Sequence, residues 1–412
     1  MIHYTKHILD NGLTVICNTD TSTSFVSVNI LYKVGARDED PKRTGFAHLF
    51  EHLMFGGSKH ITDFDFHVQQ AGGESNAFTN NDYTNYYVTV PASHIETALW
   101  LESDRMLALA FSQRSLDVQK QVVIEEFKQR YLNHPYGDIW LKLRPLAYRV
   151  HPYRWPTIGE KTTHIEEASL KEVKAFFHRF YAPNNAILSI SGNIESARAV
   201  ELVKKWFGDI PPATTTPSVI PPEPPQTEAR RLVCENNNVP SDVLYKVFHM
   251  GGRDSDNFYA CDIISDILSS GQSSRLYINL IKNRELFSEV DAYVTGDMDP
   301  GLFVFYGKPS EGVSLEHAEE AILQEIEHFI SDEISEREIQ KMINKTDARI
   351  SYSEISYQSK STNLAFFEYL GDIDRINTER ARYAAFSADT LKTYARKVFA
   401  PENSSTLWYL KP

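Results

Sequence analysis

Residues 211–228 read PPATTTPSVIPPEPPQTE. Proline removes backbone donors and fixes φ, so neither a helix nor a central strand continues through this stretch, and it reads as an extended linker. It divides the 412-residue chain into halves of about 210 and about 185 residues, each the size of one domain. The flanks of the two halves match. Near the start of the first, LYKVGARDED places Gly35, Arg37 and Asp38 where MGGRDSDN places Gly251, Arg253 and Asp254, 216 residues on. At the ends, RFYAPNNA from Arg179 answers KVFAPENS from Lys397, 218 residues on. Two matches at nearly one offset identify an internal duplication. The expected fold class is α+β: two homologous domains, each an antiparallel sheet with helices, over residues 1–210 and 229–412, joined by the linker at 211–228.

Working outward from the linker, each half mixes two periods. Phe25–Tyr32 and residues 85–90 alternate with period two, whereas residues 95–108 and 315–330 carry apolar residues at helical spacing. Residues 186–191 read as a further strand closed by Gly192. The 315–330 helix, with Glu316, Glu319, Glu320, Glu325 and Glu327, reads as an amphipathic surface helix. No dinucleotide fingerprint and no P-loop occurs, so nucleotide-binding folds have no support.

Acidic residues outnumber basic ones by 55 to 42, a formal net charge of −13. That balance argues against a chain-wide nucleic-acid or anionic-membrane surface, and neither partner is expected. Cys17, Cys234 and Cys261 are too few and too scattered for a disulfide framework or a thiolate cage, and read as buried free thiols. The N-terminal residues alternate like a strand, turn at Asn11 and Gly12, and lack the apolar core of a secretory signal. No segment reaches roughly 18 consecutive apolar residues. The expectation is a soluble protein, with the cytoplasm favoured over the periplasm.

The segment RTGFAHLFEHLMFGG, residues 43–57, carries His48, Glu51 and His52. In a helix from about Gly45, histidines four apart share a face, and Glu51 stands beside them. Two neutral imidazoles bind Zn²⁺, and a carboxylate next to the second can take a proton from the water that such an ion activates. A catalytic zinc needs a third protein ligand. A second helical stretch, SLDVQKQVVIEEFKQRYL from Ser115, offers Glu125 and Glu126. Val122, Val123 and Phe127 define its buried side, which puts Glu126 nearer the inward face; the competing reading is a solvated charge pair. His60 and His67 follow closely but lack the spacing, and read as exposed polar histidines.

HLFEH, then GGESNAFTNNDYTNYYVTVP (residues 72–91), then VVIEEF (residues 122–127) resemble the insulinase, or pitrilysin, family of zinc metallopeptidases with the inverted motif H-x-x-E-H. Within it the chain is most similar to bacterial relatives of the mitochondrial processing peptidase subunits. The likeness covers nearly the whole chain, including both FYAPNN and VFAPEN endings. It implies that His48 and His52 bind zinc, that Glu126 is the third ligand and Glu51 the general base. It also implies that Asn76 and Ala77 lie on an edge strand that pairs with substrate backbone, a mode suited to extended peptides.

Three departures from the family's pattern carry expectations of their own. The repeat offset carries His48, Glu51 and His52 onto Ile264, Ile267 and Leu268, so one zinc per chain is expected. Gln119 stands where the family often has a carboxylate, seven residues before the third ligand, and lends less charge support. Ile281 and Ser288 stand where the family has an arginine and a tyrosine that bind substrate and steady the transition state, and neither can donate as guanidinium and phenol do. Arg275 and Arg284 lie nearby at the wrong phase and read as structural or solvated. The expected function is a zinc endopeptidase acting on extended peptides or short unfolded proteins. Its expected partner is a homologue that supplies the arginine and tyrosine in a heterodimer, with a homodimer as runner-up. The alternative is a noncatalytic peptide-binding or structural subunit of the same fold.

Overall fold

The structure, a computed structural model, describes residues 1–214 and 218–412. Residues 215–217 of the proline-rich linker lie outside the described residues. The strands, in chain order, are β1 Thr5–Ile8, β2 Thr14–Thr19, β3 Phe25–Tyr32, β4 Glu74–Thr79, β5 Thr84–Pro91, β6 Ala186–Gly192, β7 Arg230–Glu235, β8 Val243–His249, β9 Phe287–Val294, β10 Leu302–Pro309 and β11 Ser404–Leu410. Helices of the first half are α1 Phe46–Leu53, α2 Phe64–Gln70, α3 Ile95–Leu107, α4 Gln113–Phe127, α5 Ile139–Ala147, α6 Thr162–Glu166, α7 Leu170–Phe180 and α8 Ser196–Phe207. Those of the second are α9 Asp256–Ser269, α10 Leu315–Ser331, α11 Glu336–Ile355, α12 Tyr357–Tyr369, α13 Arg375–Ala384 and α14 Ala388–Val398.

Among the described residues the strands form two sheets, ordered β1-β2-β6-β3-β5-β4 and β7-β11-β8-β10-β9. Without β1, the first order maps strand for strand onto the second, which is the structural form of the duplication. Pairing is antiparallel except for one parallel pair in each sheet, β2 with β6 and β11 with β7. The expectation of antiparallel sheets is thus refined at one pair per copy. That pair joins strands far apart in sequence, so no hairpin forces their antiparallel pairing. The Asn11–Gly12 turn closes β1 onto β2, with Gly12 at φ 85°, a conformation that favours glycine.

The compact units differ from the contiguous halves. One comprises Met1–Arg130, Trp155–Ile220 and Ile350–Thr378; the other comprises Tyr131–Arg154, Pro221–Arg349 and Glu379–Pro412. Helix α12, late in the chain, covers β3 and β6 of the first sheet, and α5, early in the chain, packs on β7, β8 and β11 of the second. The physical reason is coverage of the sheet's second face. Ile139, Leu143 and Ala147 of α5 join Val243, Val247, Val304 and Leu407 in one apolar cluster. Leu364 and Ala365 of α12 join Ile16, Leu31 and Ile187 in another. The alternating polar residues of β3 are covered as well. Ser27 and Asn29 are fully buried, and Ser361 Oγ donates to Ser27 Oγ at 3.0 Å while Thr362 Oγ1 donates to Asn29 Oδ1 at 3.1 Å.

The α10 expectation also needs correction. Glu319 and Glu325 are buried because strand and turn residues satisfy them: Lys246 Nζ and Trp408 Nε1 donate to Glu319 at 3.0 and 2.9 Å, and Asn279 Nδ2 donates to Glu325 at 2.7 Å. Cys17 and Cys261 are buried free thiols, and Cys234 is half-buried. Among the described residues, no helix is long and apolar enough to cross a membrane.

Candidate metal centre

Helix α1 opens at Gly45, whose φ of 91° takes the chain sharply into the first turn. Phe46, Ala47, Leu49, Phe50 and Leu53 are buried against the first unit's core. That leaves His48, Glu51 and His52 on the remaining face, with the two imidazole rings 4.8 Å apart. Helix α4 runs alongside α1, and the Ser112 side chain accepts from Ser115 N to cap its start. Its buried residues are Leu116, Val123, Ile124 and Phe127. Val122, read from sequence as part of that buried side, is exposed; the seam follows Leu116, Val123 and Phe127, spaced seven and four apart, and Val122 falls outside it.

Glu126 stands beside that seam and faces α1. Its Oε2 lies 3.6 Å from His48 Nε2 and 3.4 Å from His52 Nε2. Glu125 turns to solvent, where its carboxylate accepts from Lys128 Nζ at 2.7 Å. Among the described residues, His48, His52 and Glu126 are the group of histidine, cysteine and acid side chains whose ligand atoms converge closely enough for a metal ion.

The convergence fits zinc. Zinc bonds of roughly 2.0–2.2 Å at tetrahedral angles put ligand atoms roughly 3.3–3.6 Å apart, which matches the two distances from Glu126 to the imidazoles. His48 Nδ1 is buried without a hydrogen-bond partner among the described residues. Burial is the largest influence on His48 and lowers it to about 4, so the ring is neutral near pH 7 with a lone pair to give. The Glu126 carboxyl is held below its ordinary range, chiefly by its hydrogen bond from His52 and further by His48 and Arg130. Arg130 itself reaches Glu126 Oε1 at 3.0 Å, leaving Oε2 turned toward the imidazoles.

Glu51 is half-buried between α1 and strand β4. Burial raises its carboxyl above the usual range, and Thr79 and His52 pull the other way. Thr79, at the end of β4, was not singled out from the sequence. The signal available was the two-residue spacing from Ala77, which puts both on one face of the strand.

Strand β4 is an edge of its sheet. Asn76 and Ala77 pair with Tyr87 and Tyr86 of β5, and the Ala77 N–H is met by Asn76 Oδ1 at 2.8 Å. His60 is exposed as expected and bonds to Asp104, ring Nδ1 to Oδ1 at 2.5 Å. His67 is half-buried, contrary to expectation, because its ring packs edge-on against Trp100 at 4.9 Å.

In the second unit, Ile264, Ile267 and Leu268 of α9 are core residues. Ile281 packs against the same core, and Ser288 Oγ donates to the Lys308 carbonyl at 3.1 Å. Arg275 pairs with Glu338 at 2.7 Å and Arg284 donates to Gln324 at 3.1 Å, both away from any converging donor set.

Comparison with known proteins fixes the class. The profile described as insulinase (peptidase family M16) matches residues 14–158, and that described as the peptidase M16 inactive domain matches residues 167–346. The zinc protease PqqE of Helicobacter pylori is 30% identical over 416 residues, covering 98% of this chain and 92% of that protein. The chain belongs to the insulinase family, peptidase family M16. The zinc protease YmxG of Bacillus subtilis, described as uncharacterized, is 23% identical over 97% of this chain and 98% of its own length. A crystal structure of a protease from Helicobacter pylori superposes with a TM-score of 0.94 at 27% identity, covering 99% of this chain and all of that one. The periplasmic protease PqqL of Escherichia coli shares the fold at a TM-score of 0.80 and 16% identity; 99% of this chain matches 48% of that one.

Proposed function

We propose that this chain is a zinc-dependent endopeptidase acting on extended peptides or short unfolded proteins, and that it is the metal-bearing subunit of a two-chain enzyme. The observation that carries the first part is the convergence of His48, His52 and Glu126, whose Oε2 lies 3.6 Å from His48 Nε2 and 3.4 Å from His52 Nε2, with Glu51 on the same helix face and outside the ligand set. An ion held there supplies Lewis acidity at a carbonyl oxygen and acidifies a water. The chain's own residues do the rest. His48 presents a neutral nitrogen, Glu126 a charged oxygen, and Glu51 accepts the proton of the attacking water and delivers it to the leaving nitrogen. The open edge of β4 at Asn76 and Ala77 offers main-chain partners to an extended substrate, which gives affinity with little demand on sequence.

Support for the second part comes from what stands at two positions of the second unit. Ile281 is an apolar side chain packed against the core and the Ser288 hydroxyl is engaged by a backbone carbonyl, so neither serves a developing oxyanion. A homologous partner carrying an arginine and a tyrosine supplies those donors in the heterodimer reading. The same two positions favour the rival reading, a noncatalytic peptide-binding subunit. One experiment separates them: zinc content of the purified chain, with hydrolysis of an unstructured peptide mixture measured with and without such a homologue. Zinc at one per chain and a rate that rises roughly 10²-fold or more on adding the homologue is expected, since a lost oxyanion donor costs about that much. A chain that holds no zinc after purification without chelator sinks the enzyme reading. Efficient turnover by the chain alone, unchanged by the homologue, sinks the two-chain part.

A further inference from the structure

A helix of eight residues has little stability of its own, and its first N–H groups lack partners inside the helix. Helix α1 begins with a glycine N-cap that offers no side chain to them, yet it must hold two imidazoles in register. Partners come from upstream in the chain. Glu39 follows the short turn Ala36–Asp38, is only 6% exposed, and accepts from Gly45 N through Oε2 and from Ala47 N through Oε1, both at 2.8 Å. His48 is the next residue after Ala47.

The turn that carries Glu39 is itself clasped by residues 155–164. Trp155 Nε1 donates to the Ala36 carbonyl at 3.0 Å. The two backbones cross so closely that a Cβ at Gly45 would sit 2.6 Å from the Ile158 oxygen, and one at Gly159 would sit 2.9 Å from the Thr44 oxygen. Thr44 Oγ1 accepts from Glu160 N at 2.8 Å and meets His164 Nδ1 at 2.8 Å. We infer that Glu39 is the positioning residue of the metal helix: its buried carboxyl group, fixed by this clasp, pins the first turn of α1 and so sets where His48 and His52 project. The residue type matters. Burial pushes the Glu39 carboxyl up to about 8 while the Ala47 and Gly45 N–H groups pull it down; charged or protonated, both of its oxygens keep a lone pair for an N–H, whereas glutamine sets an NH₂ against one of them and aspartate is one methylene short. A slip of one residue in the first turn would rotate His48 by about 100°, away from Glu126.

The functional arm of this inference rests on the zinc reading; the structural arm does not. The test is hydrogen–deuterium exchange on the metal-free full chain, parent against Glu39→Gln, together with zinc affinity measured against a chromogenic chelator. Exchange in peptides covering residues 45–53 is expected to quicken at least ~10-fold while β5 stays protected, and zinc affinity to fall roughly 10- to 100-fold, as for partners that orient ligands. Unchanged exchange at 45–53, equal quickening at β5, or an unchanged zinc affinity in a parent that binds zinc overturns it. If the parent binds no zinc, the peptidase reading fails and exchange alone decides the positioning role. Should Glu39→Gln not fold, Trp155→Phe removes the indole N–H on Ala36 together with part of a buried ring and carries the same two readouts, with β5 again the control for general loosening.

Discussion

Helices α1 and α9 follow equivalent strands, β3 and β8, in sheets of the same order, yet they have opposite fates. In α9 the positions that answer His48, Glu51 and His52 are Ile264, Ile267 and Leu268, exposed by 0%, 4% and 0%, and the helix extends over fourteen residues. In α1 the same positions stay polar and part-exposed, and the helix stops after eight. With apolar residues at these positions the helix is core; with polar ones it is short and held from outside. The face that carries His48, Glu51 and His52 is thus a departure from the packing that the other copy adopts at the same place.

Four measurements bear on this contrast. The largest is expected from Glu51→Gln, which should retain zinc and lose ~10² to 10⁴ in peptide hydrolysis; metal content and rate measured on the same sample check it, and near-parental turnover breaks the assignment. Next, Glu126→Gln should weaken zinc binding at least ~100-fold, whereas Glu125→Gln, whose side chain sits in solvent with Lys128, should leave it unchanged. A chelator competition that reverses the order would mean that the inward face of α4 is misassigned.

The third sets stability in one copy against chemistry in the other. Leu268→Ala should cost ~2–5 kcal/mol in urea unfolding, because it opens a cavity in the core. His52→Ala, at a part-exposed polar position, should cost no more than about 1 kcal/mol in the metal-free chain while abolishing zinc binding. Equal losses would erase the distinction drawn here.

The smallest compares the two sheet-covering helices. Lys360 of α12 pairs with Asp20, and its hydrogen bond is the main cause that lowers Asp20 to about 2. Since the folded value lies below the unfolded ~3.9, the stabilisation is fully present above about pH 4 and is lost as pH falls through 2, on the order of 2 kcal/mol in all. Lys360→Met should flatten that acid dependence in thermal melts. Helix α5 is docked by the apolar Ile139, Leu143 and Ala147, so a truncation at Leu143 should act equally at pH 3 and pH 7.

Much of this was legible from the chain alone. The duplication could be seen in GARD against GGRD and in the two APxN endings, because such turns keep their glycine, proline and asparagine for backbone reasons. His48, Glu51 and His52 were legible because four-residue spacing on a helix is itself a statement of geometry. Glu126 is less so: of the three apolar residues that mark its face in the sequence, Val122 is exposed and only Val123 and Phe127 lie in the seam. The exchange of α5 and α12 was not legible, since an amphipathic period says which side of a helix is buried and not which sheet buries it. Glu319 and Glu325 read as surface charges because the donors that meet them inside, Lys246 and Asn279, lie 73 and 46 residues away in sequence. Glu39 escaped notice for the same reason in miniature: nothing in GARDED marks which acid folds back onto the next helix.

The two edge strands repeat a small device whose consequence is colloidal. Strands β4 and β9 occupy the same edge of their sheets, and in each an Asn or Asp side chain bends onto the N–H of the alanine that follows, Asn76 Oδ1 to Ala77 N and Asp291 Oδ1 to Ala292 N, both at 2.8 Å. An uncovered strand edge is a template for pairing with other copies and hence for aggregation. Covering one donor with the neighbouring side chain makes that template less inviting to a passing strand at high concentration without closing it to a peptide presented in the right register. A chain whose proposed task requires an open edge carries a standing risk of precipitating, and these two side chains lower that risk in both copies alike.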